Sequence, residues 1–341
     1  MLLHRVRVHT KSTTTLFATK TQRHEMERQT RTIAPDRNGI EDAASILASG
    51  GLVAFPTETV YGLGADARNG TAVAAIYEAK GRPSFNPLIV HVADVKTARQ
   101  YIVWSDAAER LASKFWPGPL SIVAPLRDGH GLSSLVTAGL PTVAIRMPAH
   151  PVARSLLAAF GGPVAAPSAN PSGKISPTRP EHVRDGLAGR IDAIVDGGAC
   201  QVGVESTIVG LSDNGPVLLR EGGIAAEEIE ATLDMRLPRH GESDTLNAPG
   251  QLRSHYAPGA SVRLEAVAAG KDEVMLGFGS LAGDLNLSAS GDLAEAASNL
   301  FEYLHLLDAK GKPIAVAPVP EHGLGRAIND RLRRAAAPRD T

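Results

Sequence analysis

Between about residue 40 and residue 233, short apolar runs alternate with amphipathic ones. The runs at 52–55, 88–92, 120–125, 142–147, 164–166, 191–195, 207–211 and 217–219 have the length of buried strands. The stretches 71–79, 107–115 and 151–160 place apolar residues at helical spacing, the last with Pro151 in its first turn. Strands alternating with helices predict an α/β domain built on a twisted open mixed sheet. A second series follows: strand-like 262–266, 274–278, 285–287 and 313–317, and a basic helix over 324–335. Between them a helix starts at Asp292, with Glu295 in capping-box position and Leu293, Ala296, Ala297, Leu300, Leu304 and Leu307 on one face. These predict a small open α/β unit of about 80 residues. Residues 236–261, rich in Pro, Gly and polar residues, have the composition of a linker.

Composition narrows the class. The chain has 341 residues, 43% apolar and 21% charged, which suits a folded protein of about two domains. Its 35 Lys and Arg against 36 Asp and Glu argue against a global nucleic-acid or membrane coat. One cysteine, Cys200, leaves no internal disulfide and no multi-cysteine metal site. No run approaches the ~18 apolar residues that span a bilayer, so a cytoplasmic protein without membrane contact is expected. Residues 1–32 differ from the rest: Arg5, Arg7, Lys11, Lys20, Arg23, Arg28 and Arg31 face only Glu25 and Glu27. They read as a flexible tail, as a start placed upstream of Met26, or as a transit segment. The expected partition is 1–35 tail, 36–235 catalytic domain, 236–261 linker and 262–341 C-terminal domain.

Common nucleotide and nucleophile motifs are missing. Gly173-Lys174 is followed by Ile175 and lacks the phosphate-loop spacing. The Gly62/Gly64/Ala67 and Gly277/Gly279/Ala282 matches lack the context of a dinucleotide fingerprint. What stands out is polar density at the ends of apolar runs, where open α/β sheets bind ligands. LVAFPTETVYGLGAD carries Thr57, Glu58, Thr59 and Tyr61; KGRPSFNPLIVH carries Lys80, Arg82, Asn86 and His91. The two cations either complement a helix dipole or hold a triphosphate. His91 reads either as a satisfied strand histidine or as a ligand group. TVAIRMP places Arg146 in an apolar strand, which calls for an anion, from the protein or from a substrate. PVAAPSANPSGKISPT offers Ser168, Asn170, Ser172, Ser176 and Thr178, and VGVESTIVG with LLREGGI adds Ser206, Thr207 and Arg220.

In this order, the five segments resemble the YrdC/Sua5 family of threonylcarbamoyl-AMP synthases, and APGQLRSHYAP at 248–258 resembles that family's linker signature. The resemblance implies a YrdC-like sheet with a basic concave cavity and a Rossmann-like C-terminal domain. It implies the substrates L-threonine, bicarbonate or CO2, and ATP with Mg2+ as cofactor carried on the nucleotide. The product would be threonylcarbamoyl-AMP, passed to the tRNA threonylcarbamoyl-transferase complex, with possible tRNA or double-stranded RNA contact. Thr59, His91, Arg146, Ala166 and Ser206 match threonine-binding positions. Lys80, Arg82, Asn86, Thr142, Ser168, Ser176, Arg220 and Tyr256 match ATP-side positions, with Lys80 and Arg82 as the catalytic cations. The chain departs from the usual pattern at Ala248 and Gln251 of the linker, and at Gly210, where an Asp is common. No carboxylate cluster for Mg2+ is evident. Two other readings stay open: an RNA-binding protein without synthase activity, and a carbamoyltransferase of hydrogenase-maturation type, which a single cysteine disfavours.

Overall fold

The computed structural model describes residues 29–239 and 255–338. Ten strands form one mixed sheet: β1 Arg31–Ile33, β2 Val53–Phe55, β3 Gly62–Asp66, β4 Ile89–His91, β5 Leu120–Pro125, β6 Thr142–Arg146, β7 Val164–Ala165, β8 Ala193–Val195, β9 Thr207–Ser212 and β10 Gly215–Arg220. Their order is β1-β8-β2-β3-β7-β4-β6-β5-β9-β10. A second sheet of β11 Val262–Arg263, β12 Val274–Gly277, β13 Leu285–Asn286 and β14 Ile314–Val316 is wholly parallel, in the order β11-β14-β12-β13. No described helix is long and apolar enough to cross a membrane.

Several elements differ from the sequence expectation. Residues 31–33, grouped with the tail, are the edge strand β1, parallel to β8, so the large sheet begins ahead of residue 36. Residues 62–66, outside the strands predicted from the sequence, form β3 between β2 and β7. Glycine suits this strand because a Cβ on Gly64 would come within 2.8 Å of the Phe55 ring. Helices Arg37–Ala48, Pro180–Leu187 and Ala226–Leu233 complete the unit. Asp292 caps helix Leu293–Asp308 by accepting from the Glu295 N–H at 2.7 Å. The Glu295 carboxylate, however, turns to Ser288 Oγ, and Ser288 rather than Glu295 satisfies the Asp292 N–H.

Two devices place the cationic segment. Asn69 caps helix Gly70–Lys80 through the N–H groups of Thr71 and Ala72, and Gly81 ends it at φ 59, a left-handed conformation that costs glycine nothing. The turn fixes Lys80 and Arg82 beside the sheet. The two units share a core: Val60, Ile175 and Val204 are buried in one cluster with Leu300, Phe301 and Leu304. Gly203 (φ +75) lies so close to helix Leu293–Asp308 that a Cβ would sit 2.4 Å from the Ala297 and Ser298 carbonyl oxygens. Arg179 pairs with Glu302 at 2.8 Å across the same contact.

Of the segment expected as linker, residues 240–254 lie outside the described residues. Residues 256–258 return to the large sheet's unit, where the Ala257 N–H donates to the Gly173 carbonyl at 2.8 Å.

Candidate active site

Strand register assembles the site. His91 on β4 is the cross-strand partner of Arg146 on β6, and Arg146 is the partner of Ser121 on β5. Cross-strand partners share a face, so His91, Arg146 and Ser121 form a row, with Ser206 one residue ahead of β9 closing it. Residues 61–63 and 167–169 are stitched together opposite: Leu63 N donates to Pro167 O at 2.7 Å and Ala169 N to Tyr61 O at 2.8 Å. The result is a cavity lined by Thr59, Arg82, His91, Arg146, Ala166, Ser168, Ser206, Arg220 and Tyr256, all named from the sequence. Thr57, Glu205 and His255 line it as well.

Both anion sources considered for Arg146 bear on its environment. Nη2 donates to Glu58 Oε1 at 2.7 Å, Nη1 to Thr59 Oγ1 at 2.9 Å, and Nε to the Gly118 carbonyl at 3.3 Å. Three of five guanidinium donors are thereby used, and the group still borders the cavity. Burial pushes the Glu58 carboxyl up, but the charge and hydrogen bonds of Arg146 outweigh it and hold Glu58 below its ordinary value. His91 is pushed down to about 3, by burial first and by Arg146 second. It is a neutral imidazole whose buried Nδ1 has no hydrogen-bond partner among the described residues.

A second set of cations, Arg82 and Arg220, lines the same cavity. Arg82 donates to the Asn86 and Pro87 carbonyls at 3.2 and 2.9 Å, and burial pulls its guanidinium down to about 10. Hydrogen bonds to neutral carbonyls aim a charge without cancelling it. Arg220 grips Ser206 through the carbonyl (2.8 Å) and the hydroxyl (3.2 Å), and that hydroxyl meets Ser121 Oγ at 2.7 Å. Tyr256, buried at φ 60, lies between His255 and Phe301 with ring centroids at 4.1 and 5.5 Å. Burial pushes its hydroxyl up to about 12. His255 is held well below its ordinary value by burial, then by Arg82, Lys80 and Arg220.

Four residues assigned to the ATP side stand behind this wall. Lys80 Nζ donates to the Ser168 and Asn170 carbonyls at 2.6 and 2.5 Å, so its ammonium braces the 168–170 loop. Asn86 receives Arg82 through its carbonyl. Ser176 Oγ donates to Glu205 Oε1 at 2.5 Å, and Thr142 sits at the start of β6, opposite Pro125. Sequence reasoning overlooked Glu205 and His255 as wall residues. Both adjoin chosen positions, Ser206 and Tyr256, and that adjacency was the available signal.

Comparison with known proteins agrees with this architecture. The family model described as "Telomere recombination", covering the Sua5, YciO and YrdC proteins, matches residues 45–222. "Threonylcarbamoyl-AMP synthase, C-terminal domain" matches residues 224–337. The threonylcarbamoyl-AMP synthase of Pyrococcus abyssi is 43% identical over 323 residues, 87% of this chain and 94% of that one. Its counterpart in Bacillus subtilis is also 43% identical, covering 88% and 93%. The crystal structure of P. abyssi Sua5 complexed with L-threonine superposes with a TM-score of 0.83 at 40% identity, covering 90% of this chain and 97% of that one. The chain belongs to the Sua5 family of threonylcarbamoyl-AMP synthases.

Proposed function

We propose that this protein condenses L-threonine, bicarbonate or CO2, and ATP to threonylcarbamoyl-AMP and pyrophosphate. The observation that carries the reading is one cavity lined by two unlike clusters: the His91–Arg146–Thr59 group and the Arg82–Arg220 pair beside Tyr256. The first suits a zwitterionic amino acid and the second a polyphosphate.

The chemistry asks for positioning rather than a nucleophilic side chain. Threonine's amine adds to CO2 and loses a proton, giving a carbamate. A carbamate oxygen then bonds to the α-phosphorus of ATP as the bond between that phosphorus and the α–β bridging oxygen breaks, and pyrophosphate leaves with the electron pair. Arg82 and Arg220 stabilise charge on the phosphoryl oxygens, while Arg146 with Thr59 orients the amino acid. Neutral His91 accepts or donates a hydrogen bond without adding charge. Mg2+ would enter on the ATP phosphates, because Glu205 in the wall and Glu58 beside it are both engaged by buried arginines, Arg331 and Arg146. The product would feed a cytoplasmic transferase that makes N6-threonylcarbamoyladenosine in tRNA. A concave site lined by converging His91, Arg146, Arg82 and Arg220 suits a nucleotide and an amino acid better than duplex RNA, which proteins read across broad surfaces.

The test is pyrophosphate release with ATP, Mg2+ and bicarbonate, with and without L-threonine, alongside mass detection of the adenylate. Threonine-dependent release with that product is expected. Threonine-independent behaviour in a folded protein that binds duplex RNA would overturn the reading.

A further inference from the structure

Helix Gly325–Ala336 belongs to the C-terminal domain, yet its Arg331 is completely buried at the wall of the catalytic cavity. Nε donates to Glu205 Oε2 at 3.0 Å, and Nη1 donates to the Glu221 carbonyl at 2.6 Å and to Asp330 Oδ2 at 3.0 Å. The guanidinium carbon lies 5.5 Å from the centre of the Tyr256 ring. Glu205 and Tyr256 both line the cavity. The second oxygen of Glu205 accepts from Ser176 Oγ, so one carboxylate links the C-terminal domain to a residue of the 168–176 segment.

A buried carboxylate in the wall of a polyanion site is a repulsion to be answered, and a buried guanidinium is costly unless something requires it. Each group answers the other's need. Breaking such a pair from the arginine side leaves the Glu205 carboxylate uncompensated in the wall that meets the incoming polyphosphate. The Tyr256 ring loses its cationic neighbour in the same step.

We infer that Arg331 is a positioning residue for the polyphosphate end of the site, contributed by the C-terminal domain: it neutralises Glu205 and fixes Glu205 and Tyr256 in the cavity wall. The inference rests on the assignment of ATP to this cavity. Arg146, on the threonine side, is held by Glu58, Thr59 and the Gly118 carbonyl, a set of bonds separate from that of the Arg331–Glu205 pair.

The test measures KM for ATP and for threonine separately in full-length Arg331→Met, Arg331→Lys, and the double variant Arg331→Met with Glu205→Gln. Arg331→Met is expected to raise KM for ATP about tenfold and to change KM for threonine by less than about twofold. Arg331→Lys, which keeps the charge but loses the fork, falls between. Glu205→Gln in the Met background brings KM for ATP back to within about threefold of wild type, because no uncompensated charge remains. A merely structural arginine would raise both KM values together or show no rescue, and either result overturns the inference. If Arg331→Met does not fold, the Lys and double variants carry the comparison. Were the unaltered protein to release no threonine-dependent pyrophosphate, the proposed function would fall. Calorimetric ATP binding would then decide the inference separately, with equal affinity in wild type and the arginine variants refuting it.

Discussion

Mild acid should loosen the contact between the two domains through one pair of histidines. His182, in helix Pro180–Leu187, stacks on His305, in helix Leu293–Asp308, with ring centroids 3.8 Å apart and planes 18° from parallel. The Thr178 N–H donates to His182 Nδ1 at 3.3 Å, and His305 Nε2 meets the Ser176 carbonyl at 3.2 Å. Glu302, which faces His182 Nε2 at 3.6 Å, is also engaged by Arg179. Both rings are pushed from 6.5 down to about 4: burial is the leading cause in each, followed by Arg179 for His182 and by His182 for His305. The unfolded chain therefore binds more protons than the folded one between those values, and stability falls as pH drops from about 6.5 towards 4. For a fully buried histidine with this shift, linkage gives a loss of about 2 kcal/mol between pH 7.5 and pH 5. Allowing for the water that reaches His182, the pair is worth about 3 kcal/mol over that interval. Urea unfolding at the two pH values, compared with the His182→Gln/His305→Gln variant, measures it. Glutamine at 305 keeps a donor for the Ser176 carbonyl, and His91, His150 and Glu58 titrate in both proteins, so the difference isolates the pair. An acid-induced loss equal in the two proteins to within about 0.5 kcal/mol would refute the reasoning.

Three further outcomes are expected. Arg82→Ala should lower pyrophosphate release by about a hundredfold or more while circular dichroism stays native; undiminished release by the folded variant removes Arg82 from the reaction. Because Tyr256 sits at φ 60, Tyr256→Gly should be more stable than Tyr256→Ala by about 1 kcal/mol, although both lose the ring. Equal thermal midpoints would mean that the backbone strain is not there. Gly203→Ala should cost about 3 kcal/mol and raise the rate of limited proteolysis between the domains; wild-type resistance would show that the helix can yield.

What the sequence disclosed depended on how local the cause was. Strands such as β4, β5 and β6 announced themselves as apolar runs of strand length, and Arg146 was visible because a cation interrupts one of them. β3 stayed hidden because GLGAD has too few side chains to show a period; it is a strand because β2 and β7 flank it and its glycines let Phe55 and Val164 come close. β1 was lost in a basic segment, since three residues pairing with a strand more than 150 positions away leave no local trace. Helix Arg37–Ala48 did carry a signal in Ile40, Ala43, Ala44 and Leu47, weakened at its start by Asn38 and Gly39. In the site, residue types were legible and roles were not. Lys80 and Arg82 looked alike as neighbouring cations, yet Arg82 faces the cavity and Lys80 braces a loop behind it. The Arg331–Glu205 bond spans 126 residues, and only tertiary structure brings the two together.

The bare approach of Gly203 to helix Leu293–Asp308 makes the interdomain joint tight. A side chain at Gly203 would run into the helix's own carbonyl oxygens, so main chain faces main chain where the two domains meet. The cavity wall that this domain completes is therefore held at a spacing set by main-chain contact instead of by side chains that drift as the sequence diverges.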